Sequence, residues 1–224
     1  MFETKYSRFL TVLLVFIIVA VVGLGTFLGV SYYKKYSTDK DSEKFVSTFT
    51  EDIGETEQNS TGEIPQAVGN IAENITQTEV AKTTGKKKQY KGFNAIGTIE
   101  IPKTGVSYPV LEYPPTVKKL ETAITVVFPE NAVLNTVGNV VLVGHNYRNG
   151  QFFSNNKKLT NGDKIYITDL NGDKVTYIVY KVYQTGVNDT SSYNRDTDGK
   201  REITLSTCTD ASNDQRIIVL AAEQ

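Results

Sequence analysis

Residues 164–183 read KIYITDLNGDKVTYIVYKVY, which is the pattern of a β-hairpin. Ile165 and Ile167 alternate with polar residues before the turn, and β-branched and aromatic residues fill the run after it. The dipeptide Asn171-Gly172 between the two runs favours a type I′ turn, which joins neighbouring antiparallel strands. The segment therefore predicts two antiparallel strands.

Similar β-rich runs lie on both sides of this hairpin. They cover Ile96–Ile101, Val106–Leu111, Asn139–Gly144, Glu202–Cys208 and Arg216–Ala222. Thr116–Thr122 is the best candidate for a short helix. No helical periodicity separates the strands, so βαβ units are not expected. Seven or eight short strands predict one all-β domain over residues 90–224, a closed barrel or a sandwich, because periodicity does not distinguish the two.

The N-terminal part of the chain predicts a membrane anchor. The 24 residues Leu10–Tyr33 carry no charged side chain, which is enough to cross about 30 Å of hydrocarbon as a helix. No small-residue cleavage site follows, so we predict an uncleaved anchor rather than a signal peptide. Basic residues flank the run almost equally, so they do not decide its orientation.

Residues 34–89 predict a flexible tether. Thr, Glu, Ser, Asn, Lys and Gly dominate this segment, and such a composition buries too little apolar surface to order the chain. Phe45 and Phe49 are among its few aromatic residues. As a coil, residues 36–89 would span about 40 Å. A marginal helix around 64–80 is a further possibility, since apolar residues recur there at helical spacing.

The composition excludes several kinds of function. The 24 basic and 25 acidic residues give a net charge of −1, so no overall field attracts nucleic acid. Because there is one cysteine and one histidine, an intramolecular disulfide and a Cys/His zinc site are excluded. A calcium site built from oxygen ligands is not excluded.

Three side chains of types that can take part in catalysis lie where an apolar strand meets a polar loop. Cys208 ends the run ITLSTC, His145 follows NVVLVG, and Arg216 opens RIIVLAA after the loop that begins at Cys208. Each residue alone is more typical of a structural or solvated position. Together they are the minimum set for thiol acyl transfer, with a nucleophile, an acid-base group and a cation for an oxyanion.

These residues make the chain resemble the sortases, membrane-anchored cysteine transpeptidases of Gram-positive bacteria. Residues 204–208 read TLSTC and match the family motif Thr-Leu-x-Thr-Cys. The family histidine follows an apolar strand and a glycine, as His145 does in VVLVGHN, and the family arginine opens the last strand, as Arg216 does. The similarity covers about residues 93–222, through IGTIEIPKTGVSYPV and FFSNNKKLTNGDKI.

The resemblance implies an eight-stranded closed β-barrel with short helices, with the catalytic residues Cys208, His145 and Arg216 at one end. It also implies cleavage of a C-terminal sorting signal of the Leu-Pro-x-Thr-Gly kind between Thr and Gly, through a thioacyl-enzyme. The partners would be surface proteins that carry this signal and a cell-wall peptide that supplies the acceptor amine. We expect no cofactor. We expect side chains next to the catalytic residues to bind substrate, and these are Thr207, Ser206 and Asn146.

The resemblance further implies the topology of the chain. Residues 1–9 would lie in the cytoplasm, residues 10–33 in the membrane, and residues 34–89 outside as the tether of the barrel at 90–224. Some relatives bind calcium through acidic loops. The candidates in the corresponding loop here are Asp189, Asp196 and Asp198, although solvated turn residues are the commoner interpretation. IPKTG at residues 101–105 looks like a sorting signal but lacks the apolar segment and basic tail, so we interpret it as a strand end and turn.

The subclass is predicted by features that the chain lacks. It ends directly after the last β-run, without a second membrane segment, and residues 36–95 contain no Asp-Pro-aromatic lid. Gly186–Arg201 is short and polar, which leaves little room for the long helix of the class that handles haem-uptake substrates. These features favour a class A, D or E type with a single anchor, although Asn146 after the histidine departs from many such enzymes.

Two alternative functions fit the same sequence. A membrane-anchored β-barrel binding module without catalysis would have the same anchor, tether and strands. A sortase-like peptidase acting mainly by hydrolysis would differ only in the nucleophile that resolves the thioester. A reactive Cys208 distinguishes an enzyme from the binding module, and the choice of water or amine distinguishes the peptidase.

Overall fold

The computed structural model describes residues 2–57 and 88–224. Two compact units divide the chain, Met1–Asp41 and Ser42–Gln224. A single helix, α1, runs from Phe2 to Glu57. Most of the predicted tether, including the marginal helix around 64–80, lies outside the described residues.

The first unit is helical and exposes apolar side chains. Every side chain from Phe9 to Tyr33 in α1 is exposed, and nearly all of them are apolar. A helix satisfies its own backbone hydrogen bonds, so an apolar helical surface of this kind suits hydrocarbon. By length and composition this helix could span a membrane, in agreement with the predicted anchor.

The second unit contains the predicted closed eight-stranded barrel. The nine strands among the described residues are β1 (Lys88–Tyr90), β2 (Phe93–Ile101), β3 (Val106–Leu111), β4 (Ile124–Phe128), β5 (Gly138–Val143), β6 (Lys164–Asp169), β7 (Lys174–Gly186), β8 (Arg201–Cys208) and β9 (Gln215–Glu223). Their order is β1-β2-β3-β4-β5-β8-β9-β7-β6, and β6 also pairs with β2. The pairing of β2 with β6 closes the ring of β2 to β9, while β1 adds a short hairpin to β2.

Alternate residues of the strands fill the inside of the barrel. The core includes Ile99, Val126, Leu142, Ile167, Val179, Leu205 and Val219, all nearly or fully buried. Because strand side chains alternate between the two faces, the neighbours of these residues project from the outer surface. This alternation determines which residues at the strand ends can reach a substrate.

Most predicted strands agree with the structure, and two, β1 and β4, were missed. β3 and β6 have the predicted bounds, and the others differ by a few residues at their ends. β4 was not predicted, because a five-residue buried run directly after a helix shows no alternation that marks it as a strand. The predicted short helix is α2 (Val117–Thr122), and its N-cap Thr116 accepts a hydrogen bond from the backbone N–H of Lys119.

The hairpin between β6 and β7 forms as predicted, but with a different turn. The Asp169 carbonyl accepts a hydrogen bond from Gly172 N at 3.2 Å, so Leu170 and Asn171 are the central residues of the turn. Within this turn, from Leu170 to Asp173, only Gly172 has a positive φ, of 89°. A type I′ turn needs positive φ at both central residues, so that prediction was wrong. The Asp169 side chain explains the change, because it accepts from Asn171 N and Asp173 N and so organises a longer turn.

The predicted tether is helical up to Glu57, and helix residues from Ser42 onwards belong to the same compact unit as the barrel. Val46 and Phe49 are buried, and the Phe45 ring lies 5.1 Å from the Tyr90 ring. The Lys88 ammonium donates a hydrogen bond to the Phe49 carbonyl at 2.9 Å. The prediction of an irregular tether was wrong for residues 34–57. Apolar residues spaced three and four apart form one helix face there, which the polar average composition concealed.

Candidate active site

Parallel pairing of β5 with β8 brings His145 and Cys208 to the same end of the barrel. Val143 and Ser206 form the last pair of this ladder, so His145 and Cys208 each lie two residues beyond it. The inward residues of both strands belong to the core, and alternation therefore places both of these side chains on the outer face. The two residues are far apart in sequence, and only the sheet order makes them neighbours.

Arg216 lies directly beside Cys208. The two residues are paired across β8 and β9, and the Arg216 Nη1 atom donates to the Cys208 sulfur at 3.3 Å. The same Nη1 atom also contacts the carbonyls of Asn213 at 2.6 Å and Gln215 at 3.2 Å. Among the described residues, Nε and Nη2 of Arg216 have no hydrogen-bond partner. The guanidinium thus supports the sulfur, where a thiolate accepts such a bond better than a thiol, and keeps donors for a ligand.

A glycine and an aromatic cluster support the position of His145. A Cβ atom on Gly144 would lie 2.5 Å from Ile124 Cδ1 and 2.9 Å from Phe153 Cδ2, so only glycine allows this close packing. The His145 carbonyl accepts from Phe153 N at 3.1 Å. The His145 ring lies 4.9 Å from the Tyr147 ring. The histidine therefore lies on a packed turn rather than on a loose loop.

Partial burial lowers the pKa of His145 below its ordinary value of 6.5, because desolvation penalises the imidazolium. The carboxylate of Glu121 opposes this shift and raises the pKa. The sheet explains the proximity. Helix α2 ends at Thr122, directly before β4, and the pairing of Thr125 with Val143 places the start of β4 beside the end of β5 that leads to His145. Burial and the same carboxylate raise the pKa of Tyr147.

Sequence reasoning missed Glu121. It lies in the last turn of α2, the short helix between β3 and β4, and nothing in its local sequence connects it with the histidine. Only the β4–β5 pairing makes the connection. Asp210 was missed as well, although its position two residues after Cys208 in the loop TDASND could have indicated it.

The side chain of Asn146 is hydrogen-bonded to other groups of the protein. Its side-chain amide donates to the Cys208 carbonyl at 2.9 Å and to the Asp210 carboxylate at 2.8 Å. Its side-chain oxygen accepts from Arg148 N at 3.0 Å. Lys157 pairs with Asp210 from the other side. The predicted role of Asn146 in substrate binding thus competes with an internal role.

The other two predicted substrate-binding residues are buried. Thr207 and Ser206 are each 1% exposed. Thr207 pairs with the core residue Ile217, and alternation turns it towards the barrel interior. Their burial argues against direct contact of either side chain with a substrate, because the residues next to a catalytic strand end still belong to the packed sheet.

The three calcium candidates are engaged in local turns. Asp189 accepts from Ser191 and Thr185, and these hydrogen bonds lower the pKa of Asp189 to about 2. The Asp196 carboxylate accepts from Asp198 N at 2.9 Å. In the described ranges 2–57 and 88–224, no three acidic, His or Cys side chains are grouped closely enough to hold a metal ion.

A closed barrel that presents a cysteine, an arginine and a histidine at one end has the arrangement of a thiol acyltransferase. Comparison with known proteins gives the family. Residues 99–224 match the family model of the sortase domain. The chain is also 32% identical to sortase A of Bacillus anthracis over 217 residues, covering 94% of this chain and 92% of that protein. The chain belongs to the sortase family.

Solved structures agree with this assignment. The Clostridium perfringens sortase D5 transpeptidase is 26% identical, with a TM-score of 0.56, and the match covers 84% of this chain and 99% of that one. Sortase A of Listeria monocytogenes is 25% identical, with a TM-score of 0.53 and coverage of 58% and 87%. The protein is therefore an enzyme of the sortase type with a general transpeptidase role, and the non-catalytic binding module is set aside. The relatives carry different class letters, so the subclass stays a prediction.

Proposed function

We propose that this sortase cleaves a C-terminal sorting signal of the Leu-Pro-x-Thr-Gly kind between Thr and Gly and joins the acyl group to a cell-wall amine. The observation that carries the proposal is the contact of the Arg216 guanidinium with the Cys208 sulfur, on the face that also bears His145. Family membership supplies the type of substrate and acceptor, and the geometry supplies the roles of the side chains.

Cys208 is the nucleophile. Its sulfur attacks the threonine carbonyl carbon, a C–S bond forms, and the carbonyl electrons move onto oxygen. The sulfur must act as a thiolate, and Arg216 is placed to stabilise that charge through the 3.3 Å contact. Collapse of the intermediate breaks the Thr–Gly C–N bond and leaves a thioacyl-enzyme.

His145 transfers the proton. As an imidazolium it protonates the departing glycine amine, and as neutral imidazole it then takes a proton from the acceptor amine. The acceptor nitrogen attacks the thioester carbonyl, a new amide forms, and the Cys208 thiolate leaves. No hydrogen bond joins His145 to Cys208 within residues 88–224, so the substrate carbonyl and leaving nitrogen occupy the space between them in this proposal.

Arg216 has two tasks in this scheme. Nη1 contacts the sulfur and the loop carbonyls, whereas Nε and Nη2 have no partner among the described residues. Those two donors are available to the oxyanion of the tetrahedral intermediate or to the substrate threonine. The chemistry proposed here uses the thiol, imidazole and guanidinium groups.

The N-terminal helix is the proposed single-pass anchor. In this topology residues 1–9 are cytoplasmic and the barrel lies outside the membrane, where surface proteins and cell-wall amines are found. Labelling of intact cells tests the orientation. A membrane-impermeant thiol reagent should modify Cys208, because the only cysteine of the chain would be outside. Labelling only after the membrane is opened would reverse the topology.

The reaction is tested with the full chain in detergent and a peptide containing Leu-Pro-x-Thr-Gly. We expect a short oligoglycine to replace the residues after threonine, with the new amide detected by mass spectrometry. Cys208→Ala should abolish this product while near-ultraviolet circular dichroism stays unchanged, since loss of a nucleophile costs several orders of magnitude in rate. Val137→Ala, at an exposed position of the β4–β5 loop, is the control and should keep full activity.

Three results would overturn parts of this proposal. Activity of Cys208→Ala within tenfold of the unaltered chain would remove Cys208 as nucleophile. Release of the free acid alone at saturating amine would make the protein a hydrolytic peptidase. Cleavage in a peptide library at signals unrelated to Leu-Pro-x-Thr-Gly would replace the substrate class.

A further inference from the structure

The side chain of Asn146 takes the place of a missing backbone hydrogen bond. In the parallel ladder of β5 and β8, Gly144 N donates to the Ser206 carbonyl at 3.4 Å, a long contact. Parallel ladders repeat every two residues, so the next donor would be Asn146 N and the next acceptor the Cys208 carbonyl. The acceptor is indeed bonded, but the donor is the Asn146 side-chain amide at 2.9 Å.

The backbone of Asn146 is used elsewhere. It forms an isolated antiparallel bridge with Phe152, and the adjacent His145 carbonyl accepts from Phe153 N. The chain thus leaves β8 after Gly144 and turns towards its own loop. A side chain reaching back across the gap keeps the two strand ends connected after their backbones have separated.

We propose that Asn146 is a positioning residue. The hydrogen bond from its side-chain amide to the Cys208 carbonyl sets the spacing between the His145 and Cys208 side chains. Continued backbone pairing would hold the two strands at about 4.8 Å and bring the side chains together. Separation without a link would leave the spacing variable. The hydrogen bond of the Asn146 side chain holds the ends of β5 and β8 at a wider but fixed separation. Such a separation suits a site that must admit a peptide between the Cys208 thiol and the His145 imidazole. This inference rests on the proposed acyl-transfer function.

Neighbouring charges hold the amide in this orientation. Asp210 accepts from the same Asn146 nitrogen at 2.8 Å and is itself paired with Lys157. The Asn146 oxygen accepts from Arg148 N. Both ends of the amide are therefore satisfied, and rotation by half a turn would place oxygen against two acceptors. Aspartate has the same shape but no donor, so Asn146→Asp removes the link and adds repulsion.

The kinetic test uses the full chain and the Leu-Pro-x-Thr-Gly peptide with oligoglycine. We expect Asn146→Ala to lower kcat by about tenfold to a hundredfold, because misplacing a reacting group by about 1 Å costs that much. KM should stay within twofold, and Asn146→Asp should be at least as impaired as Asn146→Ala. The matched control Asn131→Ala, at an exposed asparagine of the β4–β5 loop, should be unchanged.

Alkylation of Cys208 by iodoacetamide separates positioning from unfolding. This reaction needs the thiol and its Arg216 contact, but not His145. We expect the alkylation rate of Asn146→Ala to stay within twofold of the unaltered chain, with Tm lowered by only a few degrees. Parallel loss of kcat, alkylation rate and Tm would make Asn146 a merely structural residue and overturn the inference.

A double variant distinguishes the two hydrogen bonds that the Asn146 side-chain amide donates, one to the Cys208 carbonyl and one to Asp210. Adding Asp210→Asn to Asn146→Asp restores a donor between these two side chains but leaves the Cys208 carbonyl without its bond, so kcat should stay low. Recovery of the full kcat would show that the link to Asp210 matters and would overturn the proposal. A raised KM at unchanged kcat would return Asn146 to substrate binding. Absence of peptide cleavage by the unaltered chain would instead defeat the proposed function.

Discussion

At the scale of residues, two opposing effects determine the pKa of the single histidine. Partial burial lowers the pKa of His145, and the Glu121 carboxylate raises it. A proton donor for the leaving amine must be protonated when the amide breaks, so burial alone would work against catalysis. The Glu121 carboxylate limits the decrease in the pKa of His145, and its exposed position allows it to be replaced without disturbing the core.

We expect Glu121→Gln to lower the pKa of His145 further, because burial then acts without its opposing charge. The chain has only one histidine, so one imidazole resonance in a proton NMR titration reports it without assignment. The acidic limb of the pH–rate profile should move in the same direction. Glu130→Gln is the control, since that carboxylate contacts Tyr113 and not the histidine.

A titration of His145 above 6.5 in the unaltered chain, or an unchanged titration in Glu121→Gln, would contradict this account. Stability is linked to the same shift. Between the lowered pKa and 6.5, the unfolded chain binds a proton that the folded chain does not, so the free energy of unfolding should decrease as pH falls through that interval.

Arg216 provides a second test at this scale. Lysine keeps the charge but cannot direct separate donors to the sulfur, to the Asn213 carbonyl and to an oxyanion. We expect Arg216→Lys to be nearly as impaired as Arg216→Ala, with turnover reduced on the order of 10²–10³. Tm should change little in both. Full turnover in Arg216→Lys would reduce the role to a diffuse charge, and parallel losses of Tm and turnover would make it structural.

At the scale of elements, β2 closes the barrel because one of its residues has no side chain. Gly97 pairs with Val110 of β3 and with Asp169 of β6. A Cβ atom there would lie 2.3 Å from the Thr168 carbonyl oxygen and 2.5 Å from Leu134 Cδ1. The backbone oxygen belongs to the closing ladder and cannot move away without breaking it.

We therefore expect Gly97→Ala to destabilise the barrel by about 2 kcal/mol or more, as overpacking does. For a unit of this size, the loss corresponds to a decrease in Tm of roughly 4–8 °C. Gly186→Ala is the matched control, because nothing lies within 4 Å of the position where its Cβ would stand. Equal melting temperatures for the two variants would show that the strands can separate there without cost.

At the scale of the whole molecule, the barrel unit includes part of the N-terminal helix. Val46 and Phe49 are buried in the unit Ser42–Gln224, and Phe45 packs on a small cluster that includes Tyr90 and Leu111. Removing this helical segment would expose that cluster to water. Strand pairings alone close the ring of β2 to β9, so we expect the barrel to fold without the helix.

A chain that begins at Lys88 should fold and cleave peptides, but with lower stability than a chain that begins at Ser42. Exposing the surface that Val46 and Phe49 cover should cost about 3 kcal/mol or more, or roughly 5–15 °C in Tm. Phe49→Ala in the longer chain should reproduce much of this loss, whereas Thr48→Ala, exposed on the same helix, should not. Identical melting curves for the two chains would show that the docked helix adds no stability.

The sequence by itself determined the class of fold, the apolar helix and the three candidate catalytic side chains. These features are local or repeated. Alternation marks strands such as β6, an uncharged run marks the helix, and TLSTC and VVLVGHN are short motifs. The resemblance built on these motifs also predicted the eight-stranded closure, which periodicity alone left open.

Only the tertiary structure decided how these parts meet. Glu121 reaches His145 through the β4–β5 register, Arg216 contacts the Cys208 sulfur through the β8–β9 register, and Asn146 bridges two strand ends. Helix residues 42–49 belong to the barrel unit because Tyr90 and Leu111 offer them an apolar surface. Such contacts join residues distant in sequence. Their free energy depends on the partner as much as on the residue, so no local pattern records them.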